Sequence, residues 1–218
     1  TMLREGEGFR CVGTETIGKI EGNEQQVWAR TERWQNDWPE PIVRWEQDQW
    51  VDSGRVANSV RVGPGDAVWF VSDGVVSREL DGELTTFPSE LEAYDVVTDW
   101  AGGFWLAGRT PQYAQAVQRW SGAFERVIGI HRGPWNLSDL ALGFDGALWV
   151  ALGEGGELGV PAGALFKVDS MLHVLDYRGY RALSVGTDNA VWAVGGFGFY
   201  TIGDETGVQA GEFGPNRE

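Results

Sequence analysis

The sequence predicts an all-β protein, a β-propeller built from four-stranded antiparallel blades. Three observations carry this prediction. A short apolar strand containing Trp recurs five times, a turn rich in Gly and acids precedes each copy, and a second hairpin follows each copy. The composition agrees, because 32 Gly and 12 Trp in 218 residues favour short strands joined by tight turns.

The recurring strands are VWAR, VWFV, FWLA, LWVA and VWAV, and their tryptophans are Trp28, Trp69, Trp105, Trp149 and Trp192. Successive tryptophans are 41, 36, 44 and 43 residues apart, which is a period typical of a propeller blade. We expect each Trp to lie in the second strand of its blade and to pack between neighbouring blades.

A turn at nearly constant spacing precedes each Trp strand. Six residues before the Trp stands a Gly in four copies and Asp99 in the remaining one, and an acid follows in four copies: Gly22, Gly63, Gly143 and Gly186, with Glu24, Asp66, Asp145 and Asp188. Gly and Asp favour the backbone conformations of tight connections between antiparallel strands. Alternating segments before these turns, such as SVRV at 59–62, predict the first strand of each blade.

A second hairpin after each Trp strand supplies the predicted third and fourth strands. The five hairpins span 42–54, 75–88, 116–129, 165–179 and 199–214. The predicted blades are 14–54, 55–90, 91–129, 130–179 and 180–214, within one domain of residues 1–218. Such blades bury both faces only by stacking around an axis.

Residues 1–13 predict a further hairpin that has no first hairpin before it. Either the strand FRCV joins the last blade and closes a five-bladed ring, or the hairpin is half of another blade in a larger propeller. Five blades are favoured, because closure by an N-terminal strand removes an exposed edge. Six or more are expected if the sequence is a piece of a longer chain.

The charge excludes nucleic-acid binding. The net charge is −15, from 32 acidic and 17 basic side chains, so a nucleic acid would be repelled. A cationic partner or a divalent cation would be attracted, and the same charge favours solubility. Cys11 is the only cysteine, which leaves no intrachain disulfide and no cysteine metal cluster.

No apolar run approaches the roughly 18 residues of a membrane span, and the N-terminal TMLREGEGFR lacks the apolar stretch of a signal peptide. We therefore expect a soluble chain without membrane insertion. Both a cytoplasmic and a secreted location fit, and the abrupt start suggests a removed leader or a neighbouring domain in a longer parent chain.

Two units resemble the repeats of virginiamycin B lyase-like propellers: GPGDAVWFVSDGVVSRELDGELTTFP at 63–88, and the unit at 143–179 that begins GFDGALWVALG. They are also similar to the periplasmic sensor propellers of two-component regulators. The resemblance implies the propeller fold over nearly the whole chain. The lyase activity implies a Glu-x-His pair and a metal, but this chain has only His131 and His173 and no Glu-x-His. His173 is expected on an outer fourth strand, so the lyase activity is not carried over.

A second resemblance, to gluconolactonase-like and regucalcin-like propellers, implies a divalent metal held by Glu, Asn and Asp. Asn136 and Asp139 stand near a matching position ahead of a first strand, and Asn58 and Asp95 are further candidates. Oxygen ligands of this kind suit calcium or magnesium. A metal-dependent lyase or lactonase is therefore the alternative function.

Ligand-binding residues are expected on one face, here called the loop face, where second strands connect to third strands and where one blade connects to the next. Connections longer than a blade needs point to binding. The candidates in 31–41, 108–115 and 131–137 are Trp34, Asp37, Trp38, Arg109, Tyr113, His131, Arg132, Trp135 and Asn136. Exposed Trp beside Asp, Asn and Arg suits sugar stacking and equally suits a protein interface. The connection 152–164, with Glu154 and Glu157, is expected to be a solvated loop.

Motifs of catalysis are missing from the sequence. It contains no nucleophile elbow, phosphate-binding loop, dinucleotide fingerprint or histidine cluster. The leading hypothesis is a non-catalytic propeller that binds a protein or a glycan through the loop face. It names no catalytic residue and needs no cofactor.

Overall fold

The computed structural model describes residues 2–5, 8–11, 17–23, 25–31, 40–72, 74–99, 102–131, 136–153, 163–169, 171–176, 180–185, 190–195, 198–202 and 208–211. The chain forms two compact units, residues 1–106 and 107–218. The described strands form one two-stranded sheet and five four-stranded sheets, here called sheets I to V, each with its strands in chain order.

The strand bounds follow the predicted repeat. The two-stranded sheet contains β1 (Met2–Glu5) and β2 (Gly8–Cys11). Sheet I contains β3 (Ile17–Gly22), β4 (Val27–Thr31), β5 (Glu40–Glu46) and β6 (Gln49–Ala57). Sheet II contains β7 (Ser59–Val62), β8 (Val68–Ser72), β9 (Val75–Leu80) and β10 (Glu83–Phe87). Sheet III contains β11 (Glu92–Thr98), β12 (Phe104–Thr110), β13 (Tyr113–Trp120) and β14 (Ile128–His131). Sheet IV contains β15 (Asn136–Leu142), β16 (Leu148–Gly153), β17 (Ala164–Val168) and β18 (Leu172–Asp176). Sheet V contains β19 (Tyr180–Val185), β20 (Val191–Gly195), β21 (Gly198–Ile202) and β22 (Val208–Gly211).

The turns between first and second strands use the predicted Gly and Asp residues. The Gly63 N–H donates to the Ala67 carbonyl at 2.8 Å, and the Gly143 N–H donates to the Ala147 carbonyl at 2.9 Å. The Asp99 carboxylate accepts from the Gly103 N–H at 2.6 Å. In sheets II, III and IV the recurring turn is thus a hydrogen-bonded connection between the first two strands. Glu24, Gly186 and Asp188 of the predicted turns lie outside the described residues.

Within each unit, neighbouring sheets adjoin through their first and second strands. In residues 1–106, β7 contacts β3 and β4 on one side and β11 on the other, and in residues 107–218, β19 contacts β15 and β16. Side chains on first strands therefore meet side chains of the next sheet.

Four of the five repeated tryptophans are buried as predicted: Trp28, Trp69, Trp105 and Trp149. Trp28 packs edge-on against Phe70 of the following sheet, with ring centroids 5.7 Å apart. Trp149 shares a buried cluster with Tyr180 of the following sheet. The prediction is wrong for Trp192, which is 46% exposed.

A cation covers three of the repeated tryptophans from the third strand. Arg44 lies 5.4 Å from the Trp28 ring centroid, Arg78 lies 5.7 Å from that of Trp69, and Lys167 lies 5.5 Å from that of Trp149. Each cation is the direct cross-strand partner of its Trp. Stacking on an indole face adds about 0.5–1 kcal/mol at partly exposed sites.

Three sequence expectations about connections are corrected. The stretch at 52–54 is a bulge inside β6, which continues to Ala57, because Gly54 adopts a φ of 70°. The connection at 108–115 is a two-residue turn between Thr110 and Tyr113, because β12 and β13 extend further than expected. His131 and Asn136 are the terminal residues of β14 and β15, whereas the sequence placed them in a connection.

Two further expectations stay predictions. β1 and β2 pair with each other, and the closing role of residues 1–13 stays a prediction. So does the grouping of residues 1–218 into one domain.

Among the described residues, no helix has the length and apolar character needed to cross a membrane.

Candidate functional site

The main polar cluster of residues 1–106 lies on the first strands of sheets I, II and III, and we call it the first-strand cluster. Its members are Lys19 and Glu21 on β3, Ser59 and Arg61 on β7, and Asp95 on β11. They come together because alternate residues of a strand point to the same face and because these first strands adjoin.

Arg61 is the centre of the first-strand cluster. Its guanidinium donates two hydrogen bonds to Asp95, from Nε to Oδ1 at 3.1 Å and from one terminal nitrogen to Oδ2 at 2.5 Å. The other terminal nitrogen donates to Glu21 at 2.6 Å. A two-pronged Arg–carboxylate contact is among the stronger and more directional polar contacts in proteins. Arg61 thereby joins sheets I, II and III.

Asp95 is buried and fully satisfied. Besides Arg61, the Ser59 hydroxyl and the Val96 N–H donate to its Oδ1, at 2.5 and 2.8 Å. Burial by itself raises the pKa of Asp95, but the charges of Arg61 and Lys19 and the hydrogen bonds from Arg61 and Ser59 outweigh burial. The pKa of Asp95 is therefore well below its ordinary value, and the side chain is ionised at neutral pH.

The contacts of Asp95 with Arg61 leave neither carboxylate oxygen open to the metal ion that the sequence comparison led us to expect there. Both of its carboxylate oxygens are engaged by Arg61, so a cation would have to displace the guanidinium. In the described part of the chain, no group of three His, Cys, Asp or Glu side chains is arranged to hold a metal ion. Asp139 of β15, another of the candidates, accepts from the Leu183 N–H of sheet V at 3.0 Å.

A second polar group, here called the loop-face group, lies where β4 ends and where β6 connects to β7. Arg30 donates to the backbone carbonyl of Asn58 at 2.9 Å, and its Nε is 3.3 Å from the Glu40 carboxylate. The side-chain oxygen of Asn58 is shielded from solvent and accepts no hydrogen bond from the described residues. A buried acceptor left unpaired costs about 1–3 kcal/mol, so it is unusual in a stable fold.

Sequence reasoning missed most of these residues. Five of them are not among the predicted site residues, although GKIEG at 18–22 and SVRV place charges on strands that adjoin a buried core. The five are Lys19, Glu21, Arg61, Arg30 and Glu40. Charges on a first strand are the signal that could have found them.

Five of the predicted binding residues lie outside the described residues: Trp34, Asp37, Trp38, Arg132 and Trp135. Glu154 and Glu157 lie outside them too, as do the side chains of His131 and Asn136. The binding role of all these residues stays a prediction. His173 lies on β18, a fourth strand as expected, 3.3 Å from Asp169.

Arg109 and Tyr113 flank the two-residue turn between β12 and β13. Arg109 is exposed and Tyr113 is half-buried. The Tyr113 ring occupies the space beside Gly129 of β14, where a Cβ would overlap it. Packing on Gly129 gives Tyr113 a structural role, and the predicted binding role of both residues stays untested.

Replacing Gly129 by alanine is expected to lower the free energy of unfolding by about 1–3 kcal/mol, because the new methyl group must displace the Tyr113 ring. Chemical denaturation measures the change. Tyr113→Ala removes the obstacle, so adding Gly129→Ala to Tyr113→Ala should cost less than about 0.5 kcal/mol. Equal costs in both backgrounds would show that the ring does not occupy this space.

Comparisons with known proteins address the fold. No protein-family model matches the sequence, and no curated protein matches it. Solved structures do match, and they are β-propeller proteins. The chain is therefore an all-β propeller of four-stranded antiparallel sheets.

Three solved structures illustrate the likeness. The extracellular domain of a protein classed as a one-component system from B. thetaiotaomicron matches with a TM-score of 0.59 and 11% identity, over 91% of this chain and 34% of that one. YCF48 bound to D1 peptide matches with a TM-score of 0.58 and 14% identity, over 94% and 72%. A gluconolactonase from Xanthomonas campestris matches with a TM-score of 0.56 and 14% identity, over 92% and 77%. The chain thus spans about a third of the first of these proteins, and identities this low show the fold alone.

Proposed function

We propose that this chain is a non-catalytic propeller that binds a basic segment of another protein through its loop face. The observation that carries the proposal is the unpaired side-chain oxygen of Asn58 in the loop-face group. Both backbone groups of Asn58 are already paired, the N–H with the Val71 carbonyl and the carbonyl with Arg30. The side-chain oxygen therefore lacks a donor among the described residues, and because it is shielded from solvent, a partner's donor reaches it only when the side chains around it move aside.

Two further observations support a basic protein segment as the donor. Peptide backbones and basic side chains are rich in N–H groups, and the net charge of −15 attracts a cationic partner. One structural neighbour is a propeller with a bound peptide. The predicted residues Trp34, Trp38 and Trp135 add aromatic anchors of the kind that protein interfaces use.

The blade count that accompanies this proposal is five or more. The described residues form five four-stranded sheets. A crystal structure of the chain would count the blades and would show the role of residues 1–13.

The first test measures binding to immobilised peptides rich in Arg and Lys, with Asp- and Glu-rich peptides as the charge control. We expect binding to the basic set that weakens as salt rises. Asn58→Ala should weaken it about tenfold, the value of one hydrogen bond, without lowering stability. Asn23→Ala is the matched control, because the Asn23 side chain caps the β3–β4 turn through the N–H groups of Gln25 and Gln26. It should lower stability and leave binding unchanged.

Alanine at Trp34, Trp38 and Trp135 together should abolish peptide binding and leave the fold intact. Thermal shifts with calcium, with EDTA and with a panel of glycans separate the alternatives, because a ligand that binds only the native state raises the melting temperature. A shift with a glycan alone would replace the proposal with a lectin. A calcium-dependent shift would replace it with a metal-dependent lactonase.

A further inference from the structure

Val75, the first residue of β9, is an exposed apolar residue at the loop-face end of sheet II. It pairs with Ser72, the last residue of β8, and only two residues join the two strands. Val75 is 45% exposed, whereas Ala164, which pairs with Leu152 at the equivalent place in sheet IV, is fully buried. Sheet II therefore leaves open to solvent an apolar position that sheet IV buries.

The backbone around Val75 is tied to the neighbouring sheet. Gly74, the residue before it, has a φ of 75° and forms a β-bridge with Ala93 of sheet III. Ser77, two residues further along β9, pairs with Phe70, whose ring packs against sheet I. Because alternate residues of a strand point to the same face, the Val75 side chain lies on the face of sheet II that adjoins sheet I. An apolar contact point on a fixed backbone binds a ligand with little loss of conformational freedom.

Val75 lies at the same end of these sheets as the loop-face group. The Asn58 N–H donates to the Val71 carbonyl of β8, and β8 pairs with β9. The backbones of Asn58 and Val75 are thus two strand spacings apart, about 10 Å. Glu40 lies on the facing surface of sheet I, because Ile42, two residues further along β5, belongs to the core between sheets I and II. The exposed valine, Asn58 and Glu40 therefore border one end of the junction between sheets I and II.

The size and the surroundings of the exposed valine indicate what covers it. One valine is far smaller than the roughly 1,200 Å² that a stable contact between two folded proteins buries, so it does not hold a folded partner by itself. It fits a single apolar side chain of a segment that is already bound beside it. The net charge of −15 favours a basic segment, and an extended segment spans about 10 Å in three residues.

We propose that the bound basic segment carries an apolar residue about three positions from the residue that donates to Asn58, and that this apolar side chain packs on Val75. The inference rests on the function proposed above and adds a sequence requirement to it. The attraction of opposite charges is common to all basic segments, so Val75 is the residue that selects among them.

Three immobilised peptides test this requirement. All carry the same run of arginines followed by a stretch of glycine and serine. The first has no apolar residue, the second has a leucine about three positions after the last arginine, and the third has the leucine at the far end of the stretch, out of reach of Val75. We expect the second peptide to bind at least about threefold tighter than the first, because its leucine is partly buried on Val75, and the third to show no gain.

Val75→Ser should abolish the gain from leucine and leave the affinity for the leucine-free peptide unchanged. Leu84→Ser is the matched control, because Leu84 is 53% exposed on the same face of sheet II but lies on β10, near the turn at the opposite end of β9. It should keep the gain, and so should Val75→Leu. Both native side chains are exposed, so the variants should keep the far-ultraviolet spectrum of the parent.

A leucine that gives no gain, a gain that survives Val75→Ser, or a gain lost equally in Leu84→Ser overturns the inference. In each of these cases, binding of the leucine-free basic peptide still supports the proposed function, so the two failures are distinguishable. A chain that binds none of the three peptides overturns both.

Discussion

Replacing Arg61 by leucine is expected to lower the free energy of unfolding by about 3–5 kcal/mol at pH 7. The variant leaves the buried Asp95 carboxylate without its two-pronged partner and leaves Glu21 without its shortest contact. An uncompensated buried charge costs far more than a paired one gains. Lys19, with its ammonium 3.8 Å from Asp95, compensates only in part. Urea denaturation at pH 7 gives the difference.

The pH dependence gives an independent check on this explanation. The folded pKa of Asp95 is below its unfolded value of about 3.9, so its stabilising effect is present above about pH 4 and is lost as the pH falls through the folded pKa. Burial raises the pKa of Asp95, and the charge of Arg61 is the main effect that lowers it. In Arg61→Leu that lowering effect is removed, so the pKa of Asp95 rises. The deficit of the variant should therefore shrink as the pH falls, because protonation then removes the unpaired charge.

Arg119→Leu is the matched control. Arg119 lies 3.9 Å from Glu125 with both side chains well exposed, and exposed pairs contribute about 0–1 kcal/mol. Adding Asp95→Leu to Arg61→Leu should recover part of the loss, because it removes the orphaned charge. If Arg61→Leu costs no more than Arg119→Leu, or if its deficit is independent of pH, the first-strand cluster does not stabilise the fold as described.

The sequence predicted the sheets because their local signals are strong and repeated. Trp in the second strand, Gly and Asp in the turn and a following hairpin all depend on residues close together in the chain. The errors arose where one residue type serves two structures. Gly54 is typical of the end of a hairpin, but its positive φ accommodates a bulge in β6 just as well.

The clusters could not be predicted in the same way, because they depend on how sheets adjoin. Arg61 and Asp95 are 34 residues apart, and their contact follows from the packing of β7 against β11. Trp192 shows the same limit, since its sequence surroundings match those of the buried tryptophans and only its neighbours differ. Tyr113 was predicted from loop length, which depends on strand ends that propensity locates poorly.

Replacing Phe104 by alanine is expected to lower the free energy of unfolding by about 3–5 kcal/mol. Phe104 of β12 is fully buried, with its ring 4.7 Å from Trp69 and 5.1 Å from Phe87. Trp69 and Phe87 belong to sheet II, so the phenyl ring joins two sheets. Truncation loses the buried area of the ring, leaves a cavity between sheets and removes two aromatic contacts worth about 0.5–1.5 kcal/mol each. Chemical denaturation measures the loss.

Phe144→Ala is the control of matched chemistry, because Phe144 is 56% exposed in the turn between β15 and β16 and its loss should cost less than about 1 kcal/mol. Phe104→Leu should fall between the two, since leucine keeps apolar volume but not the aromatic geometry. Near-ultraviolet circular dichroism adds a local readout, because Trp69 should lose its fixed surroundings in Phe104→Ala and keep them in Phe144→Ala. Equal losses for Phe104→Ala and Phe144→Ala would mean that sheets II and III are not held together by this aromatic group. The ion pair of Arg61 with Asp95 would then be the main contact that holds sheets II and III together.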